Sequence, residues 1–237
     1  MARPRYPRSE APLPPPLPPG ERTVGQLVAE AIRLYGRRFW SSLLLGTSAA
    51  AFAVGAAELA GALRLAFVLA VAPLLLAASL TGAVFIAAGQ RSRLVPTAVL
   101  LGAISVLPLA ASRLYVFPGV YLVALAWFSL VGLSVPAMLV EGGSLRGALA
   151  RGARLARADF VHAFGSVATF AILVVVCLFV LFVLLQGFGD QTPAIAAFLG
   201  LLVTSPLFFL GAALLYYDQE ARAATSAGGS RVRSSRP

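Results

Sequence analysis

The chain has 237 residues, of which 59% are apolar and 12% are charged, and its mean hydropathy is +0.87. A water-soluble domain of this length needs more polar surface, so the composition excludes a soluble globular protein and predicts that the bilayer is its solvent. All 19 basic residues are arginine, which favours a GC-rich bacterial origin, and the net charge is +10. These arginines stand at the ends of apolar runs without interleaved aromatic residues, so we expect no nucleic-acid partner.

Residues 1–22 contain eight prolines and four arginines. Such a segment cannot bury enough apolar surface to fold, and it predicts a disordered cytoplasmic tail. A docking peptide for a proline-binding domain is the alternative interpretation. The segment also lacks the short apolar core and cleavage site of a secretory signal, so we expect the first hydrophobic segment to stay in the mature protein.

Residues 23–40 show the pattern of an amphipathic helix. Thr23 and Gln26 form a capping-box pair, and apolar residues then recur at helical spacing. Arg33 and Arg37 fall on the opposite, polar face of the helical wheel. Because a spanning segment follows at once, this helix is predicted to lie in the membrane plane.

Six apolar runs follow, each a candidate for the roughly 20 residues that cross a bilayer. They cover residues 41–61, 65–89, 95–112, 117–140, 163–186 and 193–217. The third run is short and contains Pro108. The sequence therefore predicts an all-α polytopic bundle of six transmembrane helices over residues 23–222, followed by a disordered basic tail over residues 223–237.

The arginines predict how this bundle is threaded. With six spans and both termini on one side, 17 arginines face that side, and Arg64 and Arg113 face the other. Basic residues are retained on the cytoplasmic side of a membrane, so both termini are predicted to be cytoplasmic. Demoting the third run to a re-entrant loop would place the arginines of residues 140–164 outside.

The segment "VEGGSLRGALARGARLARADFVHAF" predicts a second helix in the membrane plane. Its arginines occupy one arc of the helical wheel, and they are Arg146, Arg151, Arg154 and Arg157. Together with Arg33 and Arg37 they are candidate contacts for anionic lipid headgroups, each worth roughly 1 kcal/mol near the surface. A specific anionic-lipid or nucleotide site is the sharper alternative.

Two residues within the spans are unusual. Glu58 is an ionisable group inside an apolar run, and we expect it to form an ion pair with Arg64 or Arg113. A proton or substrate relay is the alternative, although the spans hold few other ionisable groups. Trp127 lies in the middle of a span and is expected to face the interior of the bundle.

The sequence offers little material for catalysis. His162 is the single histidine and Cys177 the single cysteine, so neither a histidine-based metal site nor a disulfide is expected. No phosphate-binding glycine motif is present either, and we expect no cofactor. His162 is interpreted as an interfacial residue, and Glu141 and Asp218 as partners of helix ends or nearby arginines.

Three segments carry a resemblance to a known family: "VGQLVAEAIRLYGRRFW", "FPGVYLVALAWFSLVGLSVPAMLVEGGSLRGALARGARLARADF" and "ALLYYDQEAR". The chain resembles, over residues 23–222, bacterial multi-pass membrane proteins named after the membrane domain of glycerophosphoryl diester phosphodiesterase. The resemblance implies a plasma-membrane protein of unassigned activity. In the fused members hydrolysis belongs to a separate barrel domain, for which this chain has no matching segment.

The sequence thus predicts a non-catalytic membrane module that acts as an accessory, lipid-interacting or assembly protein. Its expected partners are anionic membrane lipids and an unidentified membrane protein. The alternative is a permease for a small solute or lipid, which would require a water-lined cavity reaching Glu58 and Trp127. A membrane-embedded lipid enzyme is a third hypothesis, and it would require acidic residues to converge near Glu141 and Asp218.

Overall fold

The computed structural model describes residues 18–89, 93–115, 117–186 and 192–234, without the side chains of residues 192–193 and 226–234. All regular structure in these ranges is helical, which confirms the predicted all-α bundle. Most of the predicted amino-terminal tail, residues 1–17, lies outside the described ranges.

Ten α-helices follow one another in the described part of the chain. They are α1 (Val24–Arg37), α2 (Phe39–Glu58), α3 (Gly61–Ala66), α4 (Ala72–Ala88), α5 (Val95–Ala111), α6 (Gly119–Val131), α7 (Ser134–Val140), α8 (Leu145–Ala158), α9 (Phe160–Leu185) and α10 (Thr192–Ser234). A π-helical turn, Phe67–Val71, joins α3 to α4, and a short 3-10 turn, Ser112–Leu114, extends α5.

Six helical segments of the described chain are long and apolar enough to cross a membrane, as the six apolar runs predict. The third run is one of them: it forms a helical segment of 20 residues, Val95–Leu114, despite the internal Pro108. The second and fourth spans each combine two helices, α3 with α4 and α6 with α7.

Proline explains the irregular second span. Pro73 stands at the start of α4 and has no N–H to donate to the preceding turn. The chain widens to a π-helical turn immediately before it, where the Ala72 N–H donates to the carbonyl of Phe67, five residues back. The local change in winding accommodates the missing donor without ending the span.

Helix α10 is the central helix of the bundle, since it contacts α2, α9, α4, α1 and α8. Its contact with α2 is very close at Gly46, where a Cβ would lie 1.9 Å from the carbonyl oxygen of Leu202. On the side facing α9, a Cβ on Gly211 would meet the Phe170 ring at 2.2 Å. Glycine therefore permits close packing of the last span against two neighbours.

Helix α10 continues through Ser234, so it includes most of residues 223–237, which the sequence assigns to a disordered tail. The residues just beyond the predicted span, Asp218–Thr225, include three alanines and one each of glutamine, glutamate and arginine. These are strong helix formers, and they extend the helix past the point where hydrophobicity ends.

Both amphipathic helices are present. The Thr23 capping box of α1 is formed, with the Thr23 N–H donating to Gln26 Oε1 at 2.8 Å. Leu27 and Ala31 on the apolar face of α1 are fully buried, where α1 packs on α10 and α9. The apolar stripe of α1 therefore packs against two helices of the bundle.

Helix α8 packs on α7, α6 and α10 with a face that is rotated from the one expected. The helical wheel of the sequence sets Leu145, Leu149, Ala153, Ala156 and Phe160 opposite the arginines, whereas the buried residues of α8 are Ala148, Gly152, Leu155 and Ala156. Gly152 explains the rotation: a Cβ there would lie 2.5 Å from the backbone nitrogen of Ser134. Gly152 thus allows α8 to pack closely against the backbone of Leu133 and Ser134, where α6 ends and α7 begins.

Candidate functional site

Helix α10 carries two polar faces just beyond its apolar stretch. Tyr216 and Glu220 stand four residues apart on one side, and Asp218 and Arg222 stand four residues apart on the other. We call this region, together with the helix ends and amphipathic helices that contact it, the charged end of the bundle. One face of α10 contacts α8 and the end of α7, and the other contacts residues 20–22 and the start of α9.

The first face binds α8 and the end of α7. Buried Tyr216 donates its hydroxyl to Glu141 Oε1 at 2.6 Å. Arg151 of α8 donates from Nε to both oxygens of Glu141, at 2.8 and 3.1 Å, and its Nη2 lies 3.6 Å from Glu220 Oε1. Glu141 therefore binds a nearby arginine, as predicted.

These contacts keep both partners charged. Partial burial alone would raise the pKa of Glu141, but hydrogen bonds from Tyr216 and Arg151, with the charges of Arg151 and Arg154, lower it below its ordinary value. The hydrogen bond to Glu141 raises the pKa of Arg151 in spite of desolvation. Both side chains remain about one-third exposed, so solvent screens the pair.

The second face is buried. Asp218 has no exposed surface, and its Oδ1 accepts a hydrogen bond of 2.9 Å from the backbone N–H of Gly20. Its Oδ2 lies 2.7 Å from His162 Nε2 and accepts a hydrogen bond of 2.9 Å from Arg222 Nε. Both oxygens of this carboxylate are thus occupied, and Asp218 binds a nearby arginine as predicted. His162, which the sequence predicts to lie at the membrane interface, is largely buried against Asp218, with its side chain 10% exposed.

Arg222 extends this cluster to two other segments. Its Nη1 lies 3.1 Å from Asp159 Oδ2, and its Nη2 donates to the carbonyl oxygen of Arg22 at 2.7 Å. Asp159 also caps α9, where its Oδ1 accepts from the His162 N–H at 3.1 Å. Residues 20–22, which we call the amino-terminal strap, are therefore hydrogen-bonded to α10, and Arg222 of α10 is paired in turn with Asp159 at the α8–α9 corner.

At the charged end, each of two arginine side chains binds two carboxylates. Glu141 and Glu220 share Arg151, while Asp159 and Asp218 share Arg222. Within the described ranges, no three His, Cys, Asp or Glu side chains are placed to hold a metal ion. The chemistry that this geometry supports directly is the fastening of chain segments by charge-assisted hydrogen bonds.

The candidate lipid-contacting arginines divide into two groups. Arg151 is engaged by Glu141, and Arg33 lies 3.6 Å from Glu30 one turn away. The remaining four are exposed and form no ion pair with a described residue, and they are Arg37, Arg146, Arg154 and Arg157. Arg38 at the end of α1 is also exposed.

The structure does not bring Glu58, Arg64 and Arg113 together. Glu58 ends α2 in an exposed position, and among the described ion pairs none joins it to either arginine. Water can solvate a carboxylate at a helix end, so no partner is required there.

The prediction that Trp127 faces the interior of the bundle is wrong. The residue lies on the surface of the bundle and is 42% exposed. Its indole N–H points back to the carbonyl of Ile104 on the neighbouring helix, at 3.1 Å. The ring therefore satisfies its polar atom internally and leaves its apolar body on the outside.

Several residues of the charged end were not predicted from the sequence, namely Tyr216 as a hydrogen-bond donor, Asp159, Arg222 and the amino-terminal strap. A signal was present in "YYDQEAR", where polar residues spaced by four define two opposite helix faces. The partners could not be read from the sequence, since Gly20 and Asp218 are 198 residues apart.

Comparison with known proteins adds no identification: no family model, no curated protein and no solved structure matches the chain.

Proposed function

We propose that this chain is a non-catalytic membrane module of the bacterial plasma membrane that binds anionic lipid headgroups through its two amphipathic helices. The module serves as an accessory or assembly partner for another membrane protein. The resemblance to the membrane domain named after glycerophosphoryl diester phosphodiesterase supports the same assignment. This resemblance does not imply hydrolytic activity, because hydrolysis in the fused members belongs to a separate barrel domain.

The observation that carries the proposal is the presence, on α1 and α8, of exposed arginines that form no ion pair with any residue the structure describes. Arg146, Arg154 and Arg157 all project from α8, which leaves its small residues against the bundle. Other arginines of the same end, Arg151 and Arg222, are occupied by carboxylates. Guanidinium groups at a membrane surface pair readily with lipid phosphates, because they form bidentate hydrogen bonds.

The arginine distribution supports an orientation with the charged end in the cytoplasm. Residues 20–22, the α8–α9 corner and residues 216–222 meet at this end. An even number of spans separates each of these segments from the next, as expected when all three lie on one side of the membrane. In this arrangement, 17 of the 19 arginines of the sequence face the cytoplasm.

A permease is the alternative function, and two observations favour the accessory module over it. The residues that would line a permeation route, Glu58 and Trp127, lie at exposed positions. The buried residues between the helices are mainly alanine, leucine, valine and phenylalanine. Such a lining offers few groups to a polar solute.

The lipid proposal is tested by the thermal stability of the detergent-purified protein titrated with phosphatidylglycerol. We expect phosphatidylglycerol to raise the unfolding midpoint, phosphatidylcholine to have no effect, and the triple variant R146Q/R154Q/R157Q to lose most of the increase. A matched control is R64Q/R113Q, which removes arginines from the predicted outer side. Retention of the full lipid effect by the triple variant would contradict the proposal.

The orientation is tested separately, with single cysteines in a Cys177→Ala background. A membrane-impermeant maleimide added to intact cells should label cysteines introduced at positions 64 and 113, and should label position 154 only after the cells are opened. Labelling of position 154 in intact cells would show that the charged end faces the outside of the cell and would contradict the proposed orientation.

A further inference from the structure

Two buried serines, one on α2 and one on α10, lack hydrogen-bond partners. Ser42 has no exposed surface and Ser205 is 5% exposed. Neither hydroxyl has a partner within the described part of the chain. A buried hydroxyl without a partner is costly, so each such group in a folded protein requires an explanation.

Many other hydroxyls in the spans form a hydrogen bond within their own helix. Their side chains donate to the carbonyl three or four residues earlier in the same helix, as in Thr47, Ser48, Ser105, Ser129, Thr169 and Thr204. Thr204, the neighbour of Ser205, donates in this way to Gly200 at 2.6 Å. Ser42 and Ser205 therefore differ from these hydroxyls. Buried Thr81 and Ser166 also lack a partner among the described residues, but they lie on α4 and α9, whereas Ser42 and Ser205 lie on two helices that pack against each other.

The register between α2 and α10 places these two serines at the same level. Gly46 of α2 touches the backbone of Leu202. Because α2 and α10 form the first and the last of six consecutive spans, they run in opposite directions across the bundle. Ser42 lies four residues before Gly46, and Ser205 lies three residues after Leu202. At 1.5 Å per residue Ser205 and Ser42 are therefore displaced by about 4.5 and about 6 Å from the contact, toward the same end. Spacings of three and four residues also keep both serines on the facing sides of the helices.

A backbone carbonyl at the same crossing also lacks its usual donor. The carbonyl of Leu202 would accept from residue 206 in a regular helix, but Pro206 has no N–H. Freed carbonyls in transmembrane helices are commonly satisfied by neighbouring hydroxyls or ordered water. The crossing thus combines two hydroxyls with one carbonyl, which matches the two to four polar partners of a buried water.

We propose that a bound water molecule bridges Ser42 and Ser205 where α2 crosses α10. The water accepts from one hydroxyl and donates to the other hydroxyl or to the Leu202 carbonyl. A monovalent cation would use the same oxygens, but it would also need a compensating charge. Asp218 is the one buried acidic side chain among the described residues, and it is engaged at the charged end. The site is independent of the proposed lipid contacts.

The test is a double-mutant cycle on the unfolding midpoint of the purified protein, with helical content checked by circular dichroism. We expect S42A and S205A each to lower the midpoint by about 2–4 °C, because each leaves the water and the opposite hydroxyl short of a partner. The double variant S42A/S205A should lower it little further, because the same water is lost. S79A is the matched control, since Ser79 donates directly to Ser48 at 2.8 Å without water.

Two results would overturn the water assignment. If the serines share no bound molecule, each alanine variant will leave the midpoint unchanged or raise it, and the two effects will add. If the occupant is a cation, the midpoint of the unmodified protein will be higher in sodium or potassium chloride than in choline chloride at equal concentration. We expect equal midpoints in all three salts.

Discussion

The indole nitrogen of Trp127 donates a hydrogen bond of 3.1 Å to the carbonyl oxygen of Ile104. This is the carbonyl that Pro108, four residues later in α5, leaves without its helical donor. The tryptophan of one span therefore supplies the hydrogen bond that the proline of its neighbour removes, and it does so in a region where water is scarce.

We expect Trp127→Phe to lower the free energy of unfolding by about 1 kcal/mol, the net value of one hydrogen bond. In a Pro108→Ala background the helix supplies its own donor, so the same change should cost clearly less. Unfolding in a mixed detergent series measures both values. Equal losses in the two backgrounds would show that the indole acts only through packing.

Gly46→Ala should destabilise the contact between α2 and α10. A methyl group there meets the Leu202 carbonyl oxygen at 1.9 Å and its Cα at 2.9 Å, so the helices must separate. The expected cost is about 1–3 kcal/mol. Gly165→Ala in α9 is the control, because no atom lies within 4 Å of its added methyl, and alanine is the better helix former. The thermal midpoints of the two variants should move in opposite directions or differ clearly.

Asp218→Asn should release the amino-terminal strap. The substitution keeps the shape of the side chain but removes the charge that faces His162 and Arg222, and loss of one partner of a buried pair costs about 3–5 kcal/mol. Hydrogen exchange should accelerate in residues 18–31. Glu30→Gln, which disrupts an exposed pair with Arg33, should change this exchange little. Unchanged protection in Asp218→Asn would mean that α1 docks without the strap.

Glu141 should contribute a pH-dependent part of the stability. Its pKa is lower in the folded protein than its ordinary value of 4.5, so the contribution is fully present above pH 4.5 and is lost as the pH falls through the lower folded pKa. The thermal unfolding midpoint of the unmodified protein should therefore decrease when the pH is lowered below 4.5. Glu141→Gln should be less stable at neutral pH and should show a shallower acid dependence. Identical slopes for the two proteins would contradict this role.

The helices could be predicted from the sequence because hydrophobicity and length decide them locally. The run at residues 95–112 becomes a helix at Val95–Ala111, and the run at residues 163–186 becomes one at Phe160–Leu185. The π-helical turn at Phe67–Val71 could not be predicted, since it depends on how the chain accommodates Pro73 within a packed bundle. Likewise, the rotation of α8 depends on the approach of Ser134 to Gly152.

The charged end was predicted only in part. Charge and amphipathicity indicate that arginines gather on α8, but they do not show which arginine turns inward. Arg151 does so because Glu141 and Glu220 approach it from two other helices. The interpretation of His162 as an interfacial residue missed its contact with Asp218, because that contact joins positions in separate spans.

The two polar faces of α10 also determine when the protein can finish folding. Residues 216–222 are synthesised after every segment that they fasten. While the ribosome is still translating the first five spans, the strap therefore lacks its partners on α10, and α8 is held by Glu141 and by the break between α6 and α7 but not by α10. Their docking on α10 is therefore a late, post-insertion step. A nascent chain stalled before Tyr216 would leave both amphipathic helices without these contacts and accessible to chaperones or membrane proteases.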